Sequence, residues 1–174
     1  MLIGLTGKMG SGKSEVVKFL KEKGYEHYVY SDVLKEMAKE RSIEPTRANL
    51  QLLGAKIKGN DPGILSKALL KKARSDNAVF DGIRNRHEIK ELKKKGVMII
   101  AITAPQKVRY QRLKERKRPG DPETFEEFKR LDNLENRGNG KGQEINQCLK
   151  VSDHVVDNNS SIENLKENIA KIIR

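Results

Sequence analysis

Residues 7–14 read GKMGSGKS, which satisfies the pattern GxxxxGK[ST]. An apolar segment, Leu2–Thr6, precedes them, and a helical pattern follows. In this setting glycines let consecutive backbone N–H groups converge on phosphate oxygens, and the helix N-terminus adds a favourable dipole. The lysine reaches the β- and γ-phosphates of a nucleoside triphosphate, and the following hydroxyl ligates Mg²⁺. We therefore predict a phosphate-binding loop in which Lys13 is catalytic and Ser14 holds the metal. Its cofactor contacts are expected from Gly7, Met9, Gly10, Ser11, Gly12, Lys13 and Ser14.

A second group of polar residues follows the segment 77–80, which we predict to be a strand ending at Asp81. An acid at the tip of a neighbouring strand can hold Mg²⁺ directly or through water. The planar guanidinium of Arg84 suits bidentate contact with a phosphate. We predict that Asp81 binds the metal and that Asp81, Gly82 and Arg84 contact substrate. The simpler alternative is that Asp81 caps a turn before Gly82.

Asp32 follows a short strand predicted over 28–30. Because parallel strands end at the same edge of a sheet, we expect Asp32 to face the phosphate-binding loop. A carboxylate there could accept a proton from an acceptor hydroxyl or position that hydroxyl. The alternative is that Asp32 is the N-cap of a helix predicted over 32–39, a role that Ser31 could also take. Both interpretations stay open on the sequence alone.

Three arginines, at positions 109, 112 and 116, share one face of a basic helix that Pro105 opens. Such a face is often simply solvated. Here the helix leads into a polar segment broken by proline and glycine, where a phosphotransferase needs a closing lid that excludes water and stabilises charge on the transferring phosphoryl group. We predict a lid at about 117–142, with Arg112 and Arg116 supplying catalytic charge.

These residues need a scaffold that brings distant segments together. Short apolar segments alternate with helical ones along the chain, which is the pattern of a parallel sheet covered on both faces. Asn85, with Glu88 three residues on, forms a capping-box pattern at the start of one helix. The predicted fold class is α/β: one three-layer P-loop NTPase domain over 1–174, with a five-stranded parallel sheet and helices on both faces. The predicted domain also carries a lid insert and a helical insert. We expect the helical insert, at about 32–75, to bind the phosphate acceptor.

The composition narrows the class of partner. Lys and Arg number 36 against 24 Asp and Glu, which gives a net charge of +12. A nucleic acid would be favoured by counterion release, but an enzyme with phosphorylated substrates also concentrates basic residues around its cleft. We favour a small-molecule partner and keep nucleic acid as the weaker alternative. The single cysteine, Cys148, excludes an intrachain disulfide and a cysteine-based metal cluster.

Signals for secretion or membrane insertion are missing from the sequence. The apolar segment 1–6 is too short for a signal peptide and lacks basic flanks. No apolar run approaches the length of a membrane span. We expect a cytoplasmic protein without a membrane partner, and the oligomeric state stays open.

Taken together, these motifs resemble the P-loop nucleoside monophosphate kinase superfamily, and both ends of the chain resemble dephospho-coenzyme A kinase. The segment 81–84 is similar to the DGxPR-type segment of nucleoside monophosphate kinases, although its proline is missing. The middle of the chain is closer to uncharacterised archaeal P-loop proteins related to both families. The resemblance to dephospho-CoA kinase is carried by the opening 2–14, by Ala104-Pro105 with Arg112 and Arg116, and by the tail from Gln143 through Asn158 to Leu165.

This resemblance implies ATP as the donor, with Mg²⁺. It implies that Asp32 is a catalytic base and that Arg84 grips a phosphate of the acceptor. It further implies that Arg112 and Asn158 contact the cofactor. A weaker match of Arg47 and Leu50 to an RxxL segment implies that Arg47 contacts substrate.

The reaction we expect is transfer of the γ-phosphate to the 3′-hydroxyl of dephospho-CoA, which needs a base. The alternative is phosphorylation of a (deoxy)nucleoside monophosphate, where the acceptor is already an anionic oxygen and Arg84 becomes the central residue. A hypothesis from another class is a nucleic-acid-associated P-loop ATPase. The chain has no NKxD motif after a strand, which argues against a GTPase.

Overall fold

A computed structural model describes residues 1–134 and 144–174, except for the side chain of Arg47. Its strands are β1 (Leu2–Thr6), β2 (Glu26–Val29), β3 (Ala78–Ile83), β4 (Met98–Thr103) and β5 (His154–Asp157). The helices of this part of the chain are α1 (Lys13–Glu22), α2 (Tyr30–Glu40), α3 (Arg47–Asn60), α4 (Ile64–Lys72), α5 (Arg86–Lys93), α6 (Gln106–Arg116), α7 (Phe125–Leu134), α8 (Ile145–Lys150) and α9 (Ile162–Ile172).

The five strands form one sheet in the order β2-β3-β1-β4-β5, and all neighbouring pairs are parallel. The prediction of a five-stranded parallel sheet is therefore confirmed. Because β1 is central and all the strands point the same way, the loop that follows β1 lies at the middle of the carboxyl edge. This is the edge at which open α/β sheets bind their ligands.

Two apolar layers, one on each face of the sheet, hold the helices. One face packs against α1 and α9, and the other against α2, α4, α5 and α8. The prediction of helices on both faces is confirmed. Buried side chains of the first layer include Ile3, Leu5, Leu20, Ile100, Ile102 and Ile169. Those of the second include Leu65, Leu69, Phe80, Ile83, Ile89, Leu92 and Ile99.

Two strands differ from the sequence prediction. β3 does not end at Asp81 but continues to Ile83, because Thr6 pairs with Ile83 while Leu5 pairs with Asp81. Gly82 is the extra residue of this bulge and has a φ of 95°. β2 occupies Glu26–Val29 rather than 28–30. In both strands the cross-strand register, which local sequence does not contain, sets the bounds.

The helix starts test several capping predictions. The side chain of Asn85 accepts a hydrogen bond from the backbone N–H of Glu88, and the carboxylate of Glu88 accepts one from the backbone N–H of Asn85. The predicted capping box is therefore confirmed. Helix α2 begins at Tyr30 with Val29 as its N-cap, so the alternative that Asp32 or Ser31 caps it is wrong. The sequence pattern does not predict α8, which has only six residues.

Helices α6 and α7 pair through aromatic rings. The ring of Tyr110 lies 5.2 Å from that of Phe125 and 5.5 Å from that of Phe128, centroid to centroid. Phe128 is fully buried. Of the predicted lid, at about 117–142, the described residues 117–134 contain α7, and residues 135–142 lie outside the described residues. Within the described ranges, no helix is long and apolar enough to cross a bilayer.

The Cys148 thiol gives a direct test of the core. It is fully buried, and burial, with a smaller contribution from Glu88, raises the pKa of Cys148 to about 12. We therefore expect almost no reaction with dithionitrobenzoate at pH 8.5 in the native protein, and one equivalent of reaction after unfolding in guanidinium. Between about pH 8.5 and pH 12 the unfolded thiol is ionised while the folded one is not, so this group lowers stability as pH rises. Rapid native reaction would contradict the burial.

Candidate active site

Other segments of the chain pack tightly against the phosphate-binding loop between β1 and α1. A Cβ on Gly10 would lie 2.6 Å from the Arg109 carbonyl oxygen of α6, and a Cβ on Gly12 would lie 2.2 Å from Nδ2 of Asn158. Both glycines also have positive φ, 73° and 105°. Only glycine allows this backbone shape and this contact together. The glycine pattern in the sequence therefore has a tertiary cause as well as a local one.

Lys13 opens α1, and its side chain lies back over the loop. Its Nζ donates to the carbonyl oxygens of Gly7, at 2.7 Å, and Lys8, at 3.0 Å. The next residue, Ser14, is exposed and lines a groove beside α1. The side chain of Ser11 is buried inside the loop. This arrangement places the predicted phosphate lysine and metal hydroxyl side by side at the start of the helix.

Asn158 and Arg112 approach the loop from the far half of the chain. Asn158 is buried just after β5, and its Nδ2 donates to the carbonyl oxygen of Ser11 at 2.9 Å. Nη2 of Arg112 lies 3.4 Å from Oδ1 of Asn158. Nη1 of Arg112 is buried and has no hydrogen-bond partner among the described residues. The fold thus brings together the loop and two residues predicted to bind the cofactor.

Arg109 is not a solvated lid arginine. Its guanidinium is buried, donates to both carboxylate oxygens of Asp132 at 2.6 and 2.9 Å, and donates to the carbonyl oxygen of Met9. Nζ of Lys8 lies 3.7 Å from the same carboxylate. Burial raises the pKa of Asp132, but the hydrogen bonds and charge of Arg109, aided by Lys8, outweigh it and leave that pKa below its ordinary value. This cluster joins α6, α7 and the loop.

Arg116 takes a different position from Arg112, although both were predicted to act on the phosphates. Its Nε and Nη2 each donate to Asp121 at 2.6 Å, in the turn that follows α6. The guanidinium is partly exposed. In the described part of the chain no contact joins Arg116 to the phosphate-binding loop. The three arginines predicted to share one helical face therefore make different contacts. Arg109 is buried in an ion pair, Arg112 lies beside the phosphate-binding loop, and Arg116 pairs with Asp121 in the turn after α6.

Asp81 lies on the side of the sheet that α1 covers. Val79, two residues earlier on the same face of β3, packs in the layer that contains α1. Oδ2 of Asp81 lies 3.8 Å from Nε2 of His27 on β2, while Oδ1 is buried without a hydrogen-bond partner among the described residues. An unpaired carboxylate oxygen at the edge next to the loop fits a hard cation.

This donor set suits Mg²⁺, which keeps several waters and takes one or two protein oxygens together with substrate phosphates. Within 1–134 and 144–174 no three His, Cys, Asp or Glu side chains converge on a common point, so a metal caged wholly by such ligands is not built there. Sequence reasoning missed His27, because its place beside Asp81 depends on the pairing of β2 with β3.

Arg84 has a fixed backbone and an exposed side chain. Its N–H donates to Glu88 Oε2 at 2.8 Å, and its carbonyl oxygen accepts from the N–H of Glu144 at 2.7 Å. Glu88 is itself buried and pairs with Nζ of Lys58 at 2.8 Å. The guanidinium of Arg84 is exposed at the carboxyl edge of the sheet. Tertiary contacts thus hold the base of this side chain and leave its end accessible.

The remaining predicted acceptor residues make fewer contacts. Asp32 lies in the first turn of α2, where its carboxylate is 59% exposed and pairs with Nζ of Lys35 at 2.9 Å. No contact in the described ranges joins Asp32 to the phosphate-binding loop. Arg47 is the first residue of α3, and its side chain lies outside the described residues. The predicted roles of Asp32, Arg47 and Gly82 remain predictions.

Comparison with known proteins identifies relatives of this chain in sequence and in fold. A family model described as an AAA domain matches residues 3–137. A UPF0200 protein of Pyrococcus abyssi is 33% identical, covering 100% of this chain and 96% of its own. One of Sulfurisphaera tokodaii is 35% identical, covering 99% and 96%. Shikimate kinase from Aquifex aeolicus superposes over 99% of this chain and 96% of its own, with a TM-score of 0.58 at 18% identity.

The fold and the loop define a P-loop protein with a kinase-like fold. At 18% identity the likeness to shikimate kinase concerns the fold alone. The chain belongs to the AAA-domain family, and it also belongs with the UPF0200 proteins. The predicted P-loop kinase fold and the kinship with archaeal P-loop proteins are confirmed, whereas a specific relation to dephospho-CoA kinase is not.

The buried ion pair between α6 and α7 can be tested by removing one charge. Asp132→Asn leaves Arg109 without its counter-charge, and we expect the free energy of unfolding to fall by about 3–5 kcal/mol at pH 7. The pKa of Asp132 is depressed in the folded state, so the stabilisation is present above the unfolded value of about 3.9 and is lost as pH falls through the folded one. The gap between the two proteins should therefore close in acid.

Guanidinium denaturation of both proteins between pH 3 and pH 7 measures this. The matched control is Asp121→Asn, which removes the partner of Arg116 in a more exposed pair and should change stability by about 1 kcal/mol or less. Equal, small effects of the two substitutions would show that the Arg109–Asp132 pair does not hold α7.

Proposed function

We propose that this protein is a kinase that uses ATP and Mg²⁺ to phosphorylate a small nucleotide-type acceptor. The observation that carries the proposal is the meeting of three groups at one edge of the sheet. These are the tightly packed phosphate-binding loop, the carboxylate of Asp81, and the guanidinium of Arg112 beside Asn158. Oδ1 of Asp81 and the buried Nη1 of Arg112 have no hydrogen-bond partner among the described residues. Such a set handles a triphosphate, its cation and the charge that develops during phosphoryl transfer.

In this proposal each residue has a definite task. The loop N–H groups and Lys13 hold the phosphates, and Ser14 and Asp81 hold the cation. Bound Mg²⁺ neutralises charge on the phosphate oxygens. Arg112 stabilises charge on the transferred group, because its Nη1 has no other described partner. Arg116 contributes to the same task only after its pair with Asp121 opens.

For the acceptor we propose first the 3′-hydroxyl of dephospho-CoA. An alcohol must lose its proton as it attacks, so the reaction needs a base or a positioning carboxylate. Asp32 is the candidate, since it lies in the first turn of α2, the helix that follows β2, and its carboxylate is accessible.

A second candidate is phosphorylation of a (deoxy)nucleoside monophosphate, and Arg84 favours it. Its backbone is held on both sides while its guanidinium remains exposed, which suits a residue that grips an incoming phosphate. Here the acceptor is an anionic oxygen and no base is needed. A third class, a nucleic-acid-associated ATPase, rests only on the net charge of +12 and would show hydrolysis stimulated by RNA with steeply salt-dependent binding.

The catalytic lysine gives the first test. Lys13→Met removes the cation that reaches the phosphates, so we expect phosphoryl transfer from ATP to fall by about 10²–10³-fold. Lys171→Met is the matched control, since Lys171 is exposed near the end of α9, outside the predicted acceptor and lid segments, and should leave the rate unchanged. Rates are measured by transfer from γ-labelled ATP to each acceptor of a panel that contains dephospho-CoA and the ribo- and deoxyribonucleoside monophosphates. Unchanged transfer in Lys13→Met would reject the assignment of this loop.

The acceptor is tested by a pair of substitutions assayed with the best acceptor of the panel. If dephospho-CoA is phosphorylated with Asp32 as base, Asp32→Asn should lower kcat by about 10²–10⁴-fold with little change in the KM for ATP. If Asp32→Asn stays nearly as active as the wild type while Arg84→Ala abolishes transfer, the proposal of dephospho-CoA as acceptor is rejected. The proposal of a nucleoside monophosphate as acceptor is then supported.

A further inference from the structure

His27 and Asp81 meet on the face of the sheet that α1 covers. His27 pairs with Val79 in the parallel register of β2 and β3, so its side chain shares a face with Val79 and Asp81. Nε2 of His27 lies 3.8 Å from Oδ2 of Asp81. His27 also lines the groove beside α1, about 510 Å³ in volume, that begins at Ser14. The imidazole therefore lies beside the carboxylate of Asp81 and on the same groove as Ser14.

Each of these two side chains has an unsatisfied polar atom. Nε2 of His27 and Oδ1 of Asp81 are both buried, and neither has a hydrogen-bond partner among the described residues. Buried polar atoms are almost always paired, because an unpaired one forfeits its hydration. Two neighbouring unpaired atoms, one at the ring edge and one on a carboxylate, indicate that the region is completed by shared groups such as a cation and its waters.

We propose that His27 is a positioning residue for the metal-binding carboxylate of Asp81. A separation of 3.8 Å is too long for a direct hydrogen bond but suits one bridging water or a small change of rotamer. By donating from Nε2 towards Oδ2, His27 orients the carboxylate so that Oδ1 faces the cation. This inference rests on the proposed function, because it assumes that Asp81 holds the metal.

This arrangement differs from two others that the residues allow. If His27 only filled space against Val17 of α1, an apolar ring of similar size would serve as well. If His27 bound the metal itself, its nitrogen would be directly coordinated. Imidazole is a ligand suited to softer cations than Mg²⁺. The hydrogen-bonding and ligating roles are therefore separable by spectroscopy.

The test measures Mn²⁺ binding to the full chain by electron paramagnetic resonance, with saturating ADP so that no phosphoryl group is transferred. His27→Phe keeps the ring volume but removes the donor, and we expect Mn²⁺ affinity to fall by about 10–100-fold. His27→Gln, whose amide N–H reaches a similar position, should retain most of the affinity. His154→Phe, at an exposed histidine on β5, is the matched control and should bind as the wild type does.

Kinetics give a second readout. In His27→Phe the Mg²⁺ concentration needed for half-maximal rate should rise, while kcat at saturating Mg²⁺ stays close to that of the wild type. If His27→Phe fails to fold, as judged by circular dichroism, His27→Ala replaces it, since Ala removes the donor without adding bulk.

Three results would overturn the inference. The first is wild-type Mn²⁺ affinity in His27→Phe, and the second is equal loss in His27→Phe and His27→Gln. The third is a directly coordinated nitrogen in the Mn²⁺ spectrum, which would make His27 a ligand. Asp81→Asn separates the inference from the function beneath it: if Asp81→Asn weakens Mn²⁺ binding and His27→Phe does not, only the role of His27 fails. If neither does, the metal assignment of the proposed function fails.

Discussion

Two glycines of the phosphate-binding loop touch the backbone of α6 and the side chain of Asn158 so closely that no Cβ would fit between them. This close approach is the constraint on which the site depends. It fixes the distance from the loop to α6, which carries Arg109 and Arg112, and to the segment after β5. The N–H groups that we propose to bind phosphate are thus held in place by contacts with segments far away in the chain. Such pre-organisation is what phosphate-binding loops need.

The basic side chains of this chain fall into two groups, those buried in ion pairs and those that are exposed. Arg109 and Lys58 pair with the buried carboxylates of Asp132 and Glu88 and serve to hold helices together. Such buried pairs favour one arrangement, because separating them leaves a charge without a partner in a poorly solvated place. Arg84 belongs to the second group, and its guanidinium is accessible to an anion. The net charge of +12 therefore does not by itself indicate a nucleic-acid partner.

The two sides of the candidate site also differ in rigidity. The proposed phosphate side is built from buried groups with several contacts each, notably Asn158 and Arg109. The proposed acceptor side presents Asp32 and Arg84 on exposed side chains. An acceptor must enter and leave, and its chemistry varies between kinases of one fold, so its contacts come from side chains on the surrounding segments. This explains why the fold and the loop define the class of protein more firmly than they define the acceptor.

The sequence by itself determined the phosphate-binding loop, the α/β class, the parallel sheet and the capping box at Asn85. These features depend on local residue order, glycine geometry and apolar periodicity. Only the tertiary structure decided which arginine does what, because one helical face holds Arg109 in a buried pair, Arg112 beside the loop and Arg116 in a turn. The cross-strand register decided that β3 runs past Asp81 and that His27 lies next to it. Register and burial arise from contacts between residues far apart in the chain, and no local pattern records them.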